Sequence, residues 1–366
     1  MLYVCDENFT RLGMISSFSY LLWRKKYSEA SEVELHVDVS MKNIKLLQKG
    51  NILFRQDDNE AMYIYYRGFS DDNGVDQLVI KCFSLIRWTD RRILWGIYHF
   101  SGAIETILRK MIVDSMISPT DSARKIPQVQ LTATKNIGET ISKQSSYANI
   151  YESIADLCNT YDIGIRCNFD GRTMHYDMYA GADRTINQMA NPRIILSKSR
   201  ANLLKRTYED ADNDLKNTAL IAGAGEDYAR KTATIINGTG LSRRELFVDA
   251  REISDTTGED EEGNPIYIPS SQYQRLLIAK GTEKLAEYGE FISFDCELDV
   301  TKENTKYNED FFLGDLVTIQ DEELNLLINS RVLEADEVFK SDGKSIFVRV
   351  GKSVPTLPQA LKRMVK

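Results

Sequence analysis

The chain has 366 residues, of which 42% are hydrophobic and 27% charged, with 7 prolines and a formal net charge of −8. This length exceeds what one hydrophobic core usually supports and points to about two or three domains, while the composition excludes a collagenous, low-complexity or largely disordered chain. No run approaches the roughly 20 apolar residues of a membrane span, the opening MLYVCDENF lacks the features of a secretory signal, and the acidic balance argues against sequence-specific nucleic-acid binding.

In chain order, residues 31–40 read as a half-buried strand. Val33, Leu35, Val37 and Val39 alternate with Glu32, Glu34, His36 and Asp38, which is the period of a sheet with one wet face. Further strands are expected at 51–54, 62–66 and 77–83, with Asp71-Asp72-Asn73-Gly74 as a turn before the last. The period then changes. Ile104, Ile107, Leu108, Met111 and Ile112 fall on one helix face, and Ile150, Ile154, Leu157 and Tyr161 on another, with Ser145 or Ser146 as a cap. Residues 164–168 and 173–179 flank Asp170-Gly171 as a hairpin.

Strand-like runs return at 193–197, 218–222, 233–236 and 245–248. An acidic surface loop follows at 253–265, with Glu252, Asp255, Glu259, Asp260, Glu261 and Glu262 at or beside it, and then a helix at 271–288. Ile292, Phe294, Cys296, Leu298 and Val300 alternate along a strand. The fold class expected is therefore β-rich α+β. A first β domain would combine 1–102 with 184–240, 103–183 would be an inserted α+β domain, and 241–366 would form a second β domain with a helix and the acidic loop.

Residues 50–67 lie over 314–331 without a gap. Gly50 meets Gly314, Gln56 meets Gln320, Asp57 meets Asp321, Ile64 meets Ile328 and Arg67 meets Arg331. Shared hairpin chemistry by chance explains such an echo as readily as duplication does. If duplicated, the chain holds two related β domains, and three copies would set six similar domains around one axis.

Chemical motifs are absent. His36, His99 and His175 show no metal-ligand spacing, and the five cysteines, Cys5, Cys82, Cys158, Cys167 and Cys296, form no C-x-x-C pair. Cys167 and His175 face each other across the hairpin without an orienting third group, and Ala222-Gly223-Ala224-Gly225-Glu226 lacks the third glycine of a dinucleotide loop. No catalytic residue, cofactor or metal is expected.

Asp6-Glu7-Asn8, LGMISSFSYLLWRKKYSEASEVELHV, Arg91-Arg92-Ile93, GADRTINQ at 181–188, RRELFVDA at 243–250 and DFFLGDLVTI at 310–319 resemble the tail-associated (Tal) hub proteins of siphophages, which are similar in fold to the baseplate hub of contractile phages. The resemblance runs from Tyr3 to about Pro358. It implies a homotrimer with two tube-like β-barrel domains and smaller inserted domains, residing in the virion tail after assembly in the bacterial cytoplasm. A distal tail or tube protein would bind above it, and a tip, fibre or tape-measure protein below. The function expected is a non-enzymatic ring that closes or extends the tail tube around a passage for DNA or tape-measure protein, with Glu32, Glu34, His36 and Asp38 as candidate lining. A host-surface or cell-wall-binding adhesin and a tail-borne hydrolase are the alternatives.

Overall fold

The computed structural model describes residues 1–351 except 73–74, 290, 300–304 and 342. Asn73-Gly74 of the expected turn and Val300 of the expected strand lie outside the described residues.

Strands β1 (Leu2–Cys5), β2 (Arg11–Ile15), β3 (Tyr20–Lys26) and β4 (Glu32–Asp38) precede a short helix α1 (Met41–Leu46), whose Ser40 hydroxyl accepts from the Asn43 amide. After β5 (Ile52–Phe54), β6 (Ala61–Asp72) and β7 (Val75–Ser84), the chain has built the antiparallel order β3-β4-β7-β6, with β5, β1 and β2 continuing beyond β6. The period-two pattern explains the packing. Val33, Leu35 and Val37 turn one way with Leu21, Trp23, Ile64, Ile80 and Cys82, where β1, β2, β5 and α1 cover them; their polar neighbours face the other way.

An inserted unit follows: β8 (Ile97–Ala103), α2 (Ile104–Ile112), β9 (Val129–Leu131), β10 (Thr140–Ser146), α3 (Ile150–Thr160), β11 (Gly164–Phe169) and β12 (Met174–Tyr179). Ile104, Ile107, Leu108, Met111 and Ile112 all enter its core, as the helical spacing requires. The cap of α3 is Asn149, whose side chain accepts from the Glu152 amide, rather than Ser145 or Ser146. Those serines are held in the β8–β10 ladder.

Next come β13 (Ile195–Ser197) and β14 (Leu203–Ala211), then a satellite made of β15 (Thr218–Ala222), β16 (Thr232–Ile236), β17 (Glu245–Asp249), β18 (Thr256–Glu259), β19 (Pro265–Tyr267) and α4 (Ser270–Ala286). Part of the expected acidic loop is thus a hairpin, β18–β19. Strands β20 (Phe291–Leu298), β21 (Leu316–Asp321), β22 (Leu326–Lys340) and β23 (Gly343–Gly351) complete the described chain.

Segment 184–240, expected beside residues 1–102, pairs with the C-terminal half instead. β13 pairs with β21, β14 with β20, and β15–β17 pack on α4. The reason is burial: Ile194, Leu196 and Leu203 complete the core around Phe294, Phe311, Val317 and Val332.

The β-rich α+β class is as expected, and the two β units share one 13-stranded sheet in the order β14-β20-β23-β22-β3-β4-β7-β6-β5-β1-β2, with β21 and β13 attached to β22.

Candidate functional site

The first eight strands of that order form two four-stranded meanders with the same order of strands, β3-β4-β7-β6 and β14-β20-β23-β22. In the first, Val33 faces Cys82, Leu35 faces Ile80, and Ile64 faces Cys82 from the other side; in the second, Phe294 faces Val350, Cys296 faces Val348, and Val332 faces Val350. The β6–β7 register shifts after Ile64 and the β22–β23 register after Val332, and the hairpins close as Asp72↔Val75 and Lys340↔Gly343. Strand for strand, β3, β4, β7 and β6 thus correspond to β14, β20, β23 and β22.

The repeat residues found by alignment coincide only in part. Gly50 and Gly314 hold equivalent left-handed positions, φ +92° and +89°, and each donates its amide to the carbonyl just before the register shift, that of Ile64 or Val332. A Cβ on Gly314 would run into the Tyr27 ring, so packing adds to the backbone demand there. Beyond the glycines the gapless alignment slips by four residues, because the partner of Ile64 is Val332 and not Ile328. Gln56 and Asp57 sit exposed in the β5–β6 turn, whereas Gln320 and Asp321 end strand β21 and Asp321 is buried against Arg206. Arg67 corresponds to Ala335, and Arg331 instead pairs with Leu316 across β21–β22.

Glu32, Glu34, His36 and Asp38 are brought together on the open face of β4. Sequence reasoning did not foresee that this face is an ion-pair ladder of both signs crossing both meanders. Lys26 meets Glu32 at 2.6 Å and Lys81 meets Glu34 at 3.2 Å. His36 Nε2 lies 2.8 Å from Glu34, and Asp38 accepts from Asn43. Arg24 donates to both oxygens of Asp336, at 2.8 and 2.6 Å, across the β22–β3 junction. The second meander continues the ladder with Arg349 between Asp295 (2.7 Å) and Glu334 (2.8 Å), and with Lys205 at 3.0 Å from Glu297. Several of these groups line a cavity of about 310 Å³. Burial raises the Glu34 carboxyl, but hydrogen bonds from His36 and Lys81 outweigh it and hold that group below its ordinary value.

Behind the junction lies a second, buried cluster. Arg55, 7% exposed, bridges Asp57 and Glu337 (2.6 Å) and stacks against Trp23 and Phe339. Lys25 reaches Asp58 at 2.7 Å and Glu60 at 3.7 Å, and burial pushes the Glu60 carboxyl up, offset in part by Lys25. These groups hold the two halves in register.

The other candidate sites come apart. Cys167 is buried opposite Tyr176, while His175 faces outward to Asp170 at 3.1 Å, so the two do not meet. All five cysteines are buried free thiols, and burial pushes Cys5 up to about 12. His99 stands in the β8–β10 ladder opposite Gln144. Among the described residues no three metal-ligating side chains gather, and no helix is long and apolar enough to cross a membrane.

The profile of the Siphovirus ReqiPepy6 Gp37-like protein family matches residues 1–352. The chain belongs to this siphovirus family. A search of curated proteins finds no match by sequence. Three solved structures are similar across nearly the whole chain. The tail protein from Neisseria meningitidis MC58 is 11% identical, with 96% of each chain covered and a TM-score of 0.58. The prophage MuSo2 43 kDa tail protein from Shewanella oneidensis is 10% identical, with 95% of this chain and 97% of that one covered and a TM-score of 0.57. The prophage tail protein gp18 from Listeria monocytogenes EGD-e is 11% identical, with 100% and 98% covered and a TM-score of 0.55. At these identities the likeness is one of fold: this siphovirus family member has the fold of phage tail proteins.

Proposed function

We propose that this chain is a structural hub of the phage tail tip, without enzymatic activity, and that three copies close into a ring around a passage for DNA or tape-measure protein. One observation carries the reading: within a chain, the last strand of one meander pairs with the first strand of the other, β22 with β3. Among the described residues the same two strand types are left open at the ends of the double meander. β6 has no strand partner beyond Ile64 on the side away from β7, and no strand pairs with β14 on the side away from β20. Exposed edges of this kind invite pairing, and a heterologous contact between them closes a ring if the rotation fits.

The inner junction supplies the register. Glu334 opposite Lys26, Ala335 opposite Lys25 and Glu337 opposite Trp23 translate into Tyr66 opposite Ala211, Arg67 opposite Asp210 and Phe69 opposite Tyr208 of the next copy. Arg67 would thus meet a carboxylate, and Phe69, 60% exposed in one chain, would be covered. The open face would line the passage with Glu32, Glu34, His36 and Asp38 among its groups. A basic lining would bind a passing duplex through counterion release; charges already paired with opposite charges would let it slide. In this reading the tube-like units are about 1–84 and 184–211 with 291–351, carrying an inserted unit and a satellite, and other tail proteins dock above and below the ring.

The test is a cysteine pair, Arg67→Cys with Asp210→Cys, oxidised at micromolar protein. The expected product is a covalent species of three times the chain mass, with ring-shaped class averages showing a central channel, and no such species from either single variant. A folded double variant that stays uncrosslinked, in a wild type that is monomeric by light scattering, overturns the ring.

A further inference from the structure

The satellite built from β15–β19 and α4 is a body of its own packed against the inserted unit. Its core, around Ala219, Ile221, Val248, Tyr273 and Leu277, lies apart from the core of that unit. Both of its connections to the large sheet leave at one place. Ala211 and Phe291 are the end pair of β14–β20, and just beyond them the Lys216 amide donates to the Tyr288 carbonyl at 2.8 Å. Two short segments held side by side at one end of a ladder have the geometry of a hinge.

The surface across which the satellite meets β10 and α3 is polar and incompletely filled. Lys143 of β10 meets both oxygens of Glu283 of α4, at 2.5 and 2.7 Å, with each side chain 12% exposed. Among the described residues no other ion pair joins the two bodies. Gln144 donates to the Glu252 carbonyl at 3.3 Å, while its own Oε1 is buried without a partner. Between the bodies lies a cavity of about 310 Å³. Lys280 turns back to Glu252 (2.8 Å) and Lys284 to Glu287 (2.6 Å), both within the satellite, so Glu152 and Asp156 of α3 line the cavity without an ion pair among the described residues. An interface with a void, an unsatisfied amide oxygen and unpaired carboxylates gives up little when it opens.

We infer that the satellite is a hinged arm, held closed on the inserted unit by the Lys143–Glu283 pair and able to swing away about residues 212–217 and Tyr288 while its own core stays intact. The arm does not depend on the ring. Asp156 makes its closure sensitive to pH. Facing that carboxylate are Lys143 from β10 and Glu283, Lys284 and Glu287 from α4, with Glu152, Glu252 and Lys280 on the same cavity. Burial, opposed by Lys143 and Lys284 and reinforced by Glu283 and Glu287, raises the Asp156 carboxyl above its ordinary 3.8 in the closed arm. Its contribution to closure is therefore fully present below 3.8 and is lost as pH rises through the elevated value, which loosens the arm at neutral pH.

The test is thiol labelling of the full chain carrying Ser153→Cys, read site by site by mass spectrometry. Ser153 lines the cavity and is 7% exposed, and the native Cys158 of the same helix, sealed in the inserted unit's core, reports unfolding. At pH 7 the new thiol is expected to react faster than Cys158. Lys143→Glu and Glu283→Lys should each speed its labelling at least about tenfold, and the two together should return it to within a few-fold of the parent. Should a reversal also speed Cys158, the milder Lys143→Gln replaces it, with acceleration at Ser153→Cys alone expected. Asp156→Asn should slow labelling at pH 7, and its ratio to the parent at equal pH should approach one as pH falls. Labelling of Ser153→Cys only in step with Cys158 means that the satellite never opens without unfolding, and overturns the arm. A double reversal that labels as fast as either single overturns the latch, and so does a parent that labels as fast as Tyr228→Cys on the exposed β15–β16 turn. An Asp156→Asn rate equal to the parent's at every pH overturns the pH dependence and spares the hinge.

Discussion

The two meanders share backbone geometry and almost no side chains. Trp23, wholly buried, corresponds to the half-buried Tyr208; Val33 to Phe294; Leu35 to Cys296; Ile80 to Val348. The most instructive pair is Glu337 and Phe69. Glu337 is 7% exposed because β3 covers its strand and Arg55 neutralises it, whereas Phe69 is 60% exposed on the same position of an uncovered edge. Within one chain, a charge is buried where pairing is complete and an aromatic ring is left in water where it is not. The difference teaches what strand pairing does to a side chain, and in the proposed ring the next copy would cover Phe69 as β3 covers Glu337.

Removing the buried partner should have the largest effect. Glu337→Ala leaves Arg55 without its buried carboxylate and is expected to cost about 3–5 kcal/mol of unfolding free energy in guanidinium titration. Phe69→Ala should change the stability of one chain by less than about 0.5 kcal/mol while impairing the ring. Equal losses of chain stability would show that Phe69 is already covered.

The core comparison comes next. Trp23→Ala should cost about 3–5 kcal/mol and Tyr208→Ala roughly half of that or less, since only the former is sealed by a complete second layer. Reversed magnitudes would mean that the second meander carries the stability.

Two carboxylates near the junction should answer pH in opposite directions. Glu60 is raised above its ordinary 4.5 by burial, so its contribution to stability is fully present below about pH 4.5 and is lost as pH rises through its elevated folded value. Asp57, held to about 2 by the Arg55 hydrogen bond, contributes above its ordinary 3.8 and loses that contribution as pH falls toward 2. Glu60→Gln should flatten the first limb of the stability profile and Asp57→Asn the second; a profile that neither variant alters refutes both assignments. The smallest effect belongs to the open face, where Asp336→Asn is expected to cost about 1 kcal/mol or less, because Arg24 and Asp336 remain in contact with water.

Short-range patterns were legible. Val33, Leu35 and Val37 alternate because a strand has two faces, and Ile104 to Ile112 repeat because a helix has one buried stripe. Helix α1 was missed although Ser40 caps it, since its six residues carry too little apolar period to stand out. The repeat was half legible: Gly50 and Gly314 share a backbone demand that only glycine meets cheaply, but the register beyond them follows hydrogen bonds that leave no side-chain signature.

By itself, then, the sequence determined the β-rich class, the helices at Ile104–Ile112 and Ile150–Thr160 and the two-faced strand at Glu32–Asp38, because each of these elements is encoded within about ten consecutive residues. Only the tertiary structure decided that 184–211 joins the C-terminal strands, that β22 pairs with β3, that charges of both signs interlock on the open face, and that Arg92 and Arg124 converge. Among those contacts Arg92 and Arg124 stand 32 positions apart in the chain and Arg24 and Asp336 stand 312 apart. They are settled by which apolar faces can be buried together and which backbone edges can be paired, quantities that belong to the folded chain and not to any window of it.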